Sequence, residues 1–289
     1  MSHAQGSYYL PEPSHWPVVG SVGITLLLGG FASFLHGGSN MFMIAGAIIV
    51  AIMLFGWFGQ VIAESQAGKY DAQVDTSFRM GMIWFIFSEV MFFAAFFGAL
   101  LYARQLSVPW LDGAGSHAMT GELLWPNFTA DWPLLNNPDT EKYPTPSGVI
   151  GAWGVPFYNT LILLTSGVTV TFAHWALKKE NKGATTMWLA ATVALGALFV
   201  FFQVEEYAEA YNHYQLTLDS GIYGSTFFML TGFHGLHVSI GALMLFVMMV
   251  RSAKGHFSPK NHFAFEAAAW YWHFVDVVWL GLFIFVYWI

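Results

Sequence analysis

Long apolar runs, broken by short polar stretches, dominate this chain. Seven of them are each long enough to cross about 30 Å of hydrocarbon as a helix, which takes roughly 20 residues. They lie near 17–36, 41–63, 78–104, 155–177, 184–208, 223–250 and 265–288. Only Gly37, Gly38, Ser39 and Asn40 separate the first two, so those form an antiparallel hairpin. A polar segment from Glu64 to Ser77 parts the hairpin from the third run. The longest connection, 105–154, carries Pro109, Pro126, Pro133, Pro138, Pro144 and Pro146, and reads as an ordered, irregular cap rather than a second domain. The pattern predicts an all-α integral membrane protein of seven helices. It divides into 1–77, an N-terminal segment with the hairpin and its polar connection, and 78–289, a five-helix bundle. No internal repeat is visible.

Composition agrees. Apolar residues make up 56% of the 289 and charged residues 9%, against about 25% charged in soluble proteins. With no cysteine, disulfides, iron–sulfur clusters and thiolate metal sites are excluded. A net charge of −7 is no nucleic-acid footprint. The first residues contain neither Lys nor Arg nor a small-residue cleavage site, so the first span is expected to be retained.

Basic residues set an expected orientation. Lys69, Arg79, Lys178, Lys179, Lys182, Arg251, Lys254 and Lys260 fall on the side of the N-terminus, and only Arg104 and Lys142 on the other. The positive-inside rule then places the N-terminus in the cytoplasm or matrix and the C-terminus outside.

Polar residues inside the apolar runs are the candidate functional groups, because each is costly there unless satisfied. Glu89 lies ten residues beyond Arg79, about 15 Å along the helix and close to the midplane. It reads either as a proton-exchanging, reagent-accessible carboxylate or as a protonated acid hydrogen-bonded within the bundle. His234 and His237, three apart, share a helix face. They read as metal ligands or, more commonly, as an interhelical hydrogen-bonding unit, with Glu206 or Gln203 as the expected partner. His273 and Asp276 form a similar node in the last run, and His174 reads as a helix-end histidine. Trp16, Trp57, Trp153 and Trp288 fit an aromatic belt. Phe92, Phe93, Phe96 and Phe97 fit packing or a lipid-facing surface. Seven spans invite a retinal reading, but residues 265–288 hold no lysine for a Schiff base.

Long segments carry a resemblance. FRMGMIWFIFSEVMFF (78–93), VPFYNTLILLTSGVTVTFAHW (155–175), QVEEY (203–207), DSGIYGSTFFMLTGFHGLHVSIG (219–241) and FEAAAWYWHFVDVVWLGLF (265–283) resemble subunit III of the haem–copper terminal oxidases. The resemblance implies a non-redox subunit of a proton-pumping cytochrome c oxidase. Its two-helix hairpin and five-helix bundle would enclose a cleft holding phospholipid. Subunits I and II would be its partners and would carry the haems and copper, with cytochrome c engaged through subunit II. It implies no catalytic residue, metal or redox cofactor in this chain, and support of subunit I and of proton uptake in aerobic electron transport.

The resemblance also assigns residues. Glu89 matches the family's buried, carbodiimide-reactive carboxylate. Trp57 and Glu64 match part of a lipid-contacting motif, and Arg251, Lys254 and His256 match a headgroup-binding cluster. Glu206, His234 and His237 match an outer bundle network. His3, Glu12, His15, Glu64, Asp71 and Asp75 form a surface able to collect protons or simply to be solvated.

One departure stands out. Mitochondrial relatives carry Trp-Trp-Arg-Asp-Val-x-Arg-Glu where this chain has Trp57-Phe58-Gly59-Gln60-Val61-Ile62-Ala63-Glu64. Two basic contacts are absent, each worth about 1 kcal/mol near anionic headgroups. A bacterial plasma membrane is therefore expected rather than the mitochondrial inner membrane, with a looser or different lipid. Two alternatives remain at this point. One is subunit III of a quinol oxidase, though such subunits usually lack the first two helices. The other is an independent proton-coupled transporter using Glu89, which would be expected to show internal symmetry.

Overall fold

The computed structural model describes residues 12–289. Seven helices in it are long and apolar enough to cross a membrane, and the described residues contain no β-strand. They are α1 (Trp16–Leu35), α2 (Met41–Gln66), α3 (Ala72–Tyr102), α4 (Val155–Lys178), α5 (Lys182–Asn212), α6 (Ile222–Ala253) and α7 (Phe263–Leu282). α3 runs on through a π-helical turn at Ala103–Ser107 and a helical turn at Val108–Leu111, and α7 through a π-helical end at Phe283–Trp288.

Most helices extend beyond their apolar runs, because polar end turns are helical too. The Glu64–Ser77 segment shows it best. α2 continues to Gln66 and α3 begins at Ala72, where Asp71 Oδ1 accepts the Val74 N–H at 2.9 Å and supplies the cap a helix start needs. At α5, Asn181 Oδ1 accepts the Ala184 N–H in the same way.

The chain divides into two compact units, the first ending at Phe78 and the second running Arg79–Ile289. In the first, α1 and α2 pack through glycine. A Cβ on Gly30 would meet the Met43 and Phe42 main chain, and one on Gly46 the Leu27 main chain. Such close approach is how membrane helices gain packing energy where lipid offers no hydrophobic drive. At the other end of the hairpin Trp16 covers Gly56, and its Nε1 donates to Gln60 Oε1 at 3.1 Å. Gln60 donates in turn to Glu64 Oε1 at 3.0 Å, and the Tyr70 hydroxyl to Glu64 Oε2 at 2.8 Å.

In the second unit α4, α5, α6 and α7 neighbour one another in order, and α7 closes back on α4. Two fully buried tryptophans of α7 fill the centre. Trp272 lies against Gly196 and Gly241 and donates its Nε1–H to Ser166 Oγ at 2.8 Å. Trp279 donates to Thr160 Oγ1 at 2.9 Å. α3 joins this ring through large side chains, with Phe92 edge-on to Phe233 and Phe97 against Phe285.

The proline-rich connection is tied down by hydrogen bonds. Asp112 Oδ2 accepts the Ala130 N–H, and Ser147 N–H donates to the Tyr214 carbonyl. Asn137 donates to the Ser220 carbonyl at 3.0 Å, beside Gly221. That glycine has φ +89° and no room for a Cβ against Asn137, so the entry to α6 requires it.

Candidate functional site

Glu89 of α3 meets a partner on α6. Its Oε2 lies 2.9 Å from His237 Nε2, across a sequence separation of 148. His237 Nδ1 lies 2.6 Å from the Phe233 carbonyl. A carbonyl only accepts, so Nδ1 carries hydrogen. The Nε2–Oε2 contact then holds one further proton, as imidazolium and carboxylate or as imidazole and carboxylic acid. Both forms are neutral overall, which is what makes the pair tolerable inside a membrane. The rings of Phe92, Phe93 and Tyr271 flank the imidazole. The Glu89 side chain keeps 21% of its surface exposed and His237 11%.

This pairing corrects the expected partner. The sequence points to Glu206 or Gln203 as the group satisfying the two histidines; His237 is satisfied by Glu89 from α3 instead. His234, one turn away and fully buried, turns its Nε2 to the Val275 carbonyl at 3.2 Å between the rings of Phe199 and Trp279. Glu206 forms a separate buried node: its Oε1 accepts from Gln203 Nε2 at 3.2 Å and from the Tyr287 hydroxyl at 2.5 Å. His273 and Asp276 form a third. His273 Nδ1 lies 3.5 Å from Asp276 Oδ2, and its Nε2 lies 3.5 Å from Thr171 Oγ1. The residues read as one intramembrane network are therefore distributed over several nodes.

The remaining candidates sit nearer helix ends. Trp57 is exposed, whereas both carboxylate oxygens of Glu64 are engaged by Gln60 and Tyr70. At the end of α6, the Arg251 guanidinium is buried with Phe257 stacked 4.7 Å from it, and the His256 N–H bonds the Arg251 carbonyl at 3.0 Å. Burial, then the charges of Arg251 and Lys254, hold the His256 imidazole below its usual pKa. It is therefore mainly neutral at pH 7, and the positive charge of this turn rests on Arg251 and Lys254. Of the residues read as proton-collecting, Glu12 pairs with Lys69 at 2.9 Å and Asp71 caps α3; His3 lies outside the described residues.

One group escaped the sequence reading. His174, taken as a helix-end histidine, meets His262 and Glu266 of the α7 start, with Arg79 on the far side of the carboxylate. The signal was there: His262 and Glu266 are four apart at a helix start, hence on one face.

A family model for cytochrome c oxidase subunit III matches residues 6–136 and 122–289. The chain belongs to the cytochrome c oxidase subunit III family. Curated relatives agree over full length. Cytochrome c oxidase subunit 3 of Petromyzon marinus is 40% identical over 289 residues, all of this chain and 99% of the relative. The proteins of the same name from Pongo abelii and Latimeria chalumnae are each 39% identical over the same shares. Membership accounts for the seven apolar helices, and makes this chain a membrane subunit of an oxidase complex, with other oxidase subunits as its partners.

Proposed function

We propose that this chain is a non-redox subunit III that packs on subunit I of a proton-pumping cytochrome c oxidase. In this reading it binds phospholipid and supports proton uptake, while subunits I and II hold haem and copper and subunit II receives cytochrome c. The full-length family match carries the reading. The Glu89–His237 pair supports it: a charge-neutral couple sharing one proton suits a static, proton-bearing structural element. An independent transporter would need the pair to open to both sides, and an internal repeat would favour it. A quinol-oxidase role has no sequence feature in its favour, given the two hairpin helices.

The test uses the oxidase complex purified through a tag on this chain. Glu89→Gln is expected to leave haem content and oxygen reduction near wild type while abolishing labelling of this subunit by a hydrophobic carbodiimide. A colourless, self-associated preparation would overturn the subunit assignment. A Glu89→Gln complex as inactive as one lacking a redox centre would overturn the structural role.

Lipid binding falls to the turn after α6, where Arg251 and Lys254 supply the charge, and to the exposed indole of Trp57. Glu64, with both oxygens bonded within the hairpin, contributes by holding the end of α2. Arg251→Ala should lower co-purifying anionic lipid, read by mass spectrometry; an unchanged lipid profile counts against the assignment. Each headgroup contact of this kind is worth about 1 kcal/mol.

The proposed setting is a bacterial plasma membrane with the N-terminus cytoplasmic and the C-terminus periplasmic. The excess of Lys and Arg in the loops before α3, between α4 and α5 and after α6 supports it. A cysteine introduced at Lys179, in a chain that otherwise has none, should react with an impermeant maleimide only in inverted vesicles. Labelling in intact cells would reverse the topology.

A further inference from the structure

Three ligand-type atoms converge where the end of α4 meets the start of α7. His174 Nε2, His262 Nε2 and a Glu266 carboxylate oxygen all lie within 4.8 Å of one another. The two imidazole nitrogens are 3.2 Å apart, and Glu266 Oε1 is 3.5 Å from His174 Nε2 and 3.3 Å from His262 Nε2. All belong to the second unit. None is at mid-membrane: His174 is one turn from the end of α4, His262 caps α7 and Glu266 is in its first turn.

Surrounding groups aim these atoms inward. His262 Nδ1 lies 3.1 Å from the Ser258 carbonyl, so Nδ1 carries hydrogen and the Nε2 lone pair faces His174. Arg79 takes the other carboxylate oxygen, Oε2, at 2.6 Å, which leaves Oε1 toward the imidazoles. Outer partners of this kind fix the tautomer and direction of metal ligands. Without a metal, the two facing Nε2 atoms need one proton between them, donated by His174 to the lone pair of His262. A cation can take that proton's place at His174 Nε2 while His174 Nδ1 takes up a proton, so the ring changes tautomer with no net release.

We propose that His174, His262 and Glu266 form a site for a zinc-class divalent cation. Two nitrogens and one carboxylate oxygen are the donor set of zinc with three protein ligands, the fourth position going to water. Calcium and magnesium, which take oxygen ligands, are disfavoured. The bound ion would tie the end of α4 to the start of α7. Arg79 already neutralises part of the Glu266 charge, so the site fills and empties with the ion's concentration instead of holding it permanently.

The experiment uses the intact oxidase complex, stripped with a chelator, dialysed to equilibrium against zinc chloride and counted by elemental mass spectrometry against the dialysate. Wild type should retain one zinc per complex more than His174→Gln or His262→Gln, while His36→Gln, an imidazole of the α1 end, keeps the wild-type count. Equal counts in wild type and both cluster variants overturn the site. Should those variants fail to assemble, anomalous diffraction at the zinc edge from zinc-saturated wild type decides. A peak among the three side chains supports the site, and its absence at saturation overturns it.

Discussion

Trp272→Ala is expected to cost the second unit about 3–5 kcal/mol, the range for deleting a large buried aromatic side chain. Trp272 is fully buried and occupies a space shaped for it. A Cβ on Gly196 would stand 2.7 Å from its ring and one on Gly241 2.8 Å. The alanine variant therefore leaves a void between α5 and α6 that neither backbone can fill, and removes the indole N–H from the Ser166 hydroxyl, which keeps only its bond to the Leu163 carbonyl. In hydrocarbon, helix association depends on such packing and on interhelical hydrogen bonds. The readout is the temperature at which the tagged chain leaves the detergent-solubilised complex. Trp272→Phe keeps most of the ring and should lose less, about 1 kcal/mol for the missing hydrogen bond plus a small packing deficit. Alanine and wild type dissociating at the same temperature would show that the ring is not the keystone of the bundle.

Gly46→Val should break the packing of the first unit. Its Cβ would fall on the main chain of Leu27, and a backbone, unlike a side chain, has no rotamer by which to move aside. Overpacking costs about 1–3 kcal/mol where side chains adjust; here the helices themselves must separate, so the upper end or more is expected. Proteolysis in the Gly37–Asn40 turn of the purified complex is the measurement, since a splayed hairpin exposes it. Gly29→Ala, where an added Cβ meets nothing within 4 Å, should cleave like wild type. Equal resistance of Gly46→Val would mean that α1 and α2 do not depend on close backbone approach.

Both predictions concern residues whose importance is invisible in the chain as written. Gly46 is one glycine among 29 and Trp272 one tryptophan among 13; nothing local distinguishes Gly46 from Gly29. The difference is what the neighbouring helix presents. The candidate site behaves in the same way. Glu89 was legible, since a carboxylate in the middle of an apolar run has few ordinary explanations. Its partner was not. Chain proximity favoured Glu206 and Gln203, at the end of the helix just before the histidines. Packing favoured α3 instead and turned His234 toward a main-chain carbonyl.

The sequence by itself determined what local composition controls: the number of spans, their approximate ends, the short hairpin turn, the absence of thiolate chemistry and, through long motifs in order, the family. These follow because in a membrane each span must satisfy its own backbone hydrogen bonds, so run length and polarity suffice. It misjudged the polar stretch before α3, where capping by Asp71 extends the helix. Only the tertiary structure decided which polar groups meet. It paired Glu89 with His237, separated Glu206 and the His273–Asp276 pair into nodes of their own, and gathered His174, His262 and Glu266 at one helix end. Such meetings depend on which faces of distant helices pack together and at what depth, and no period along a single helix encodes that.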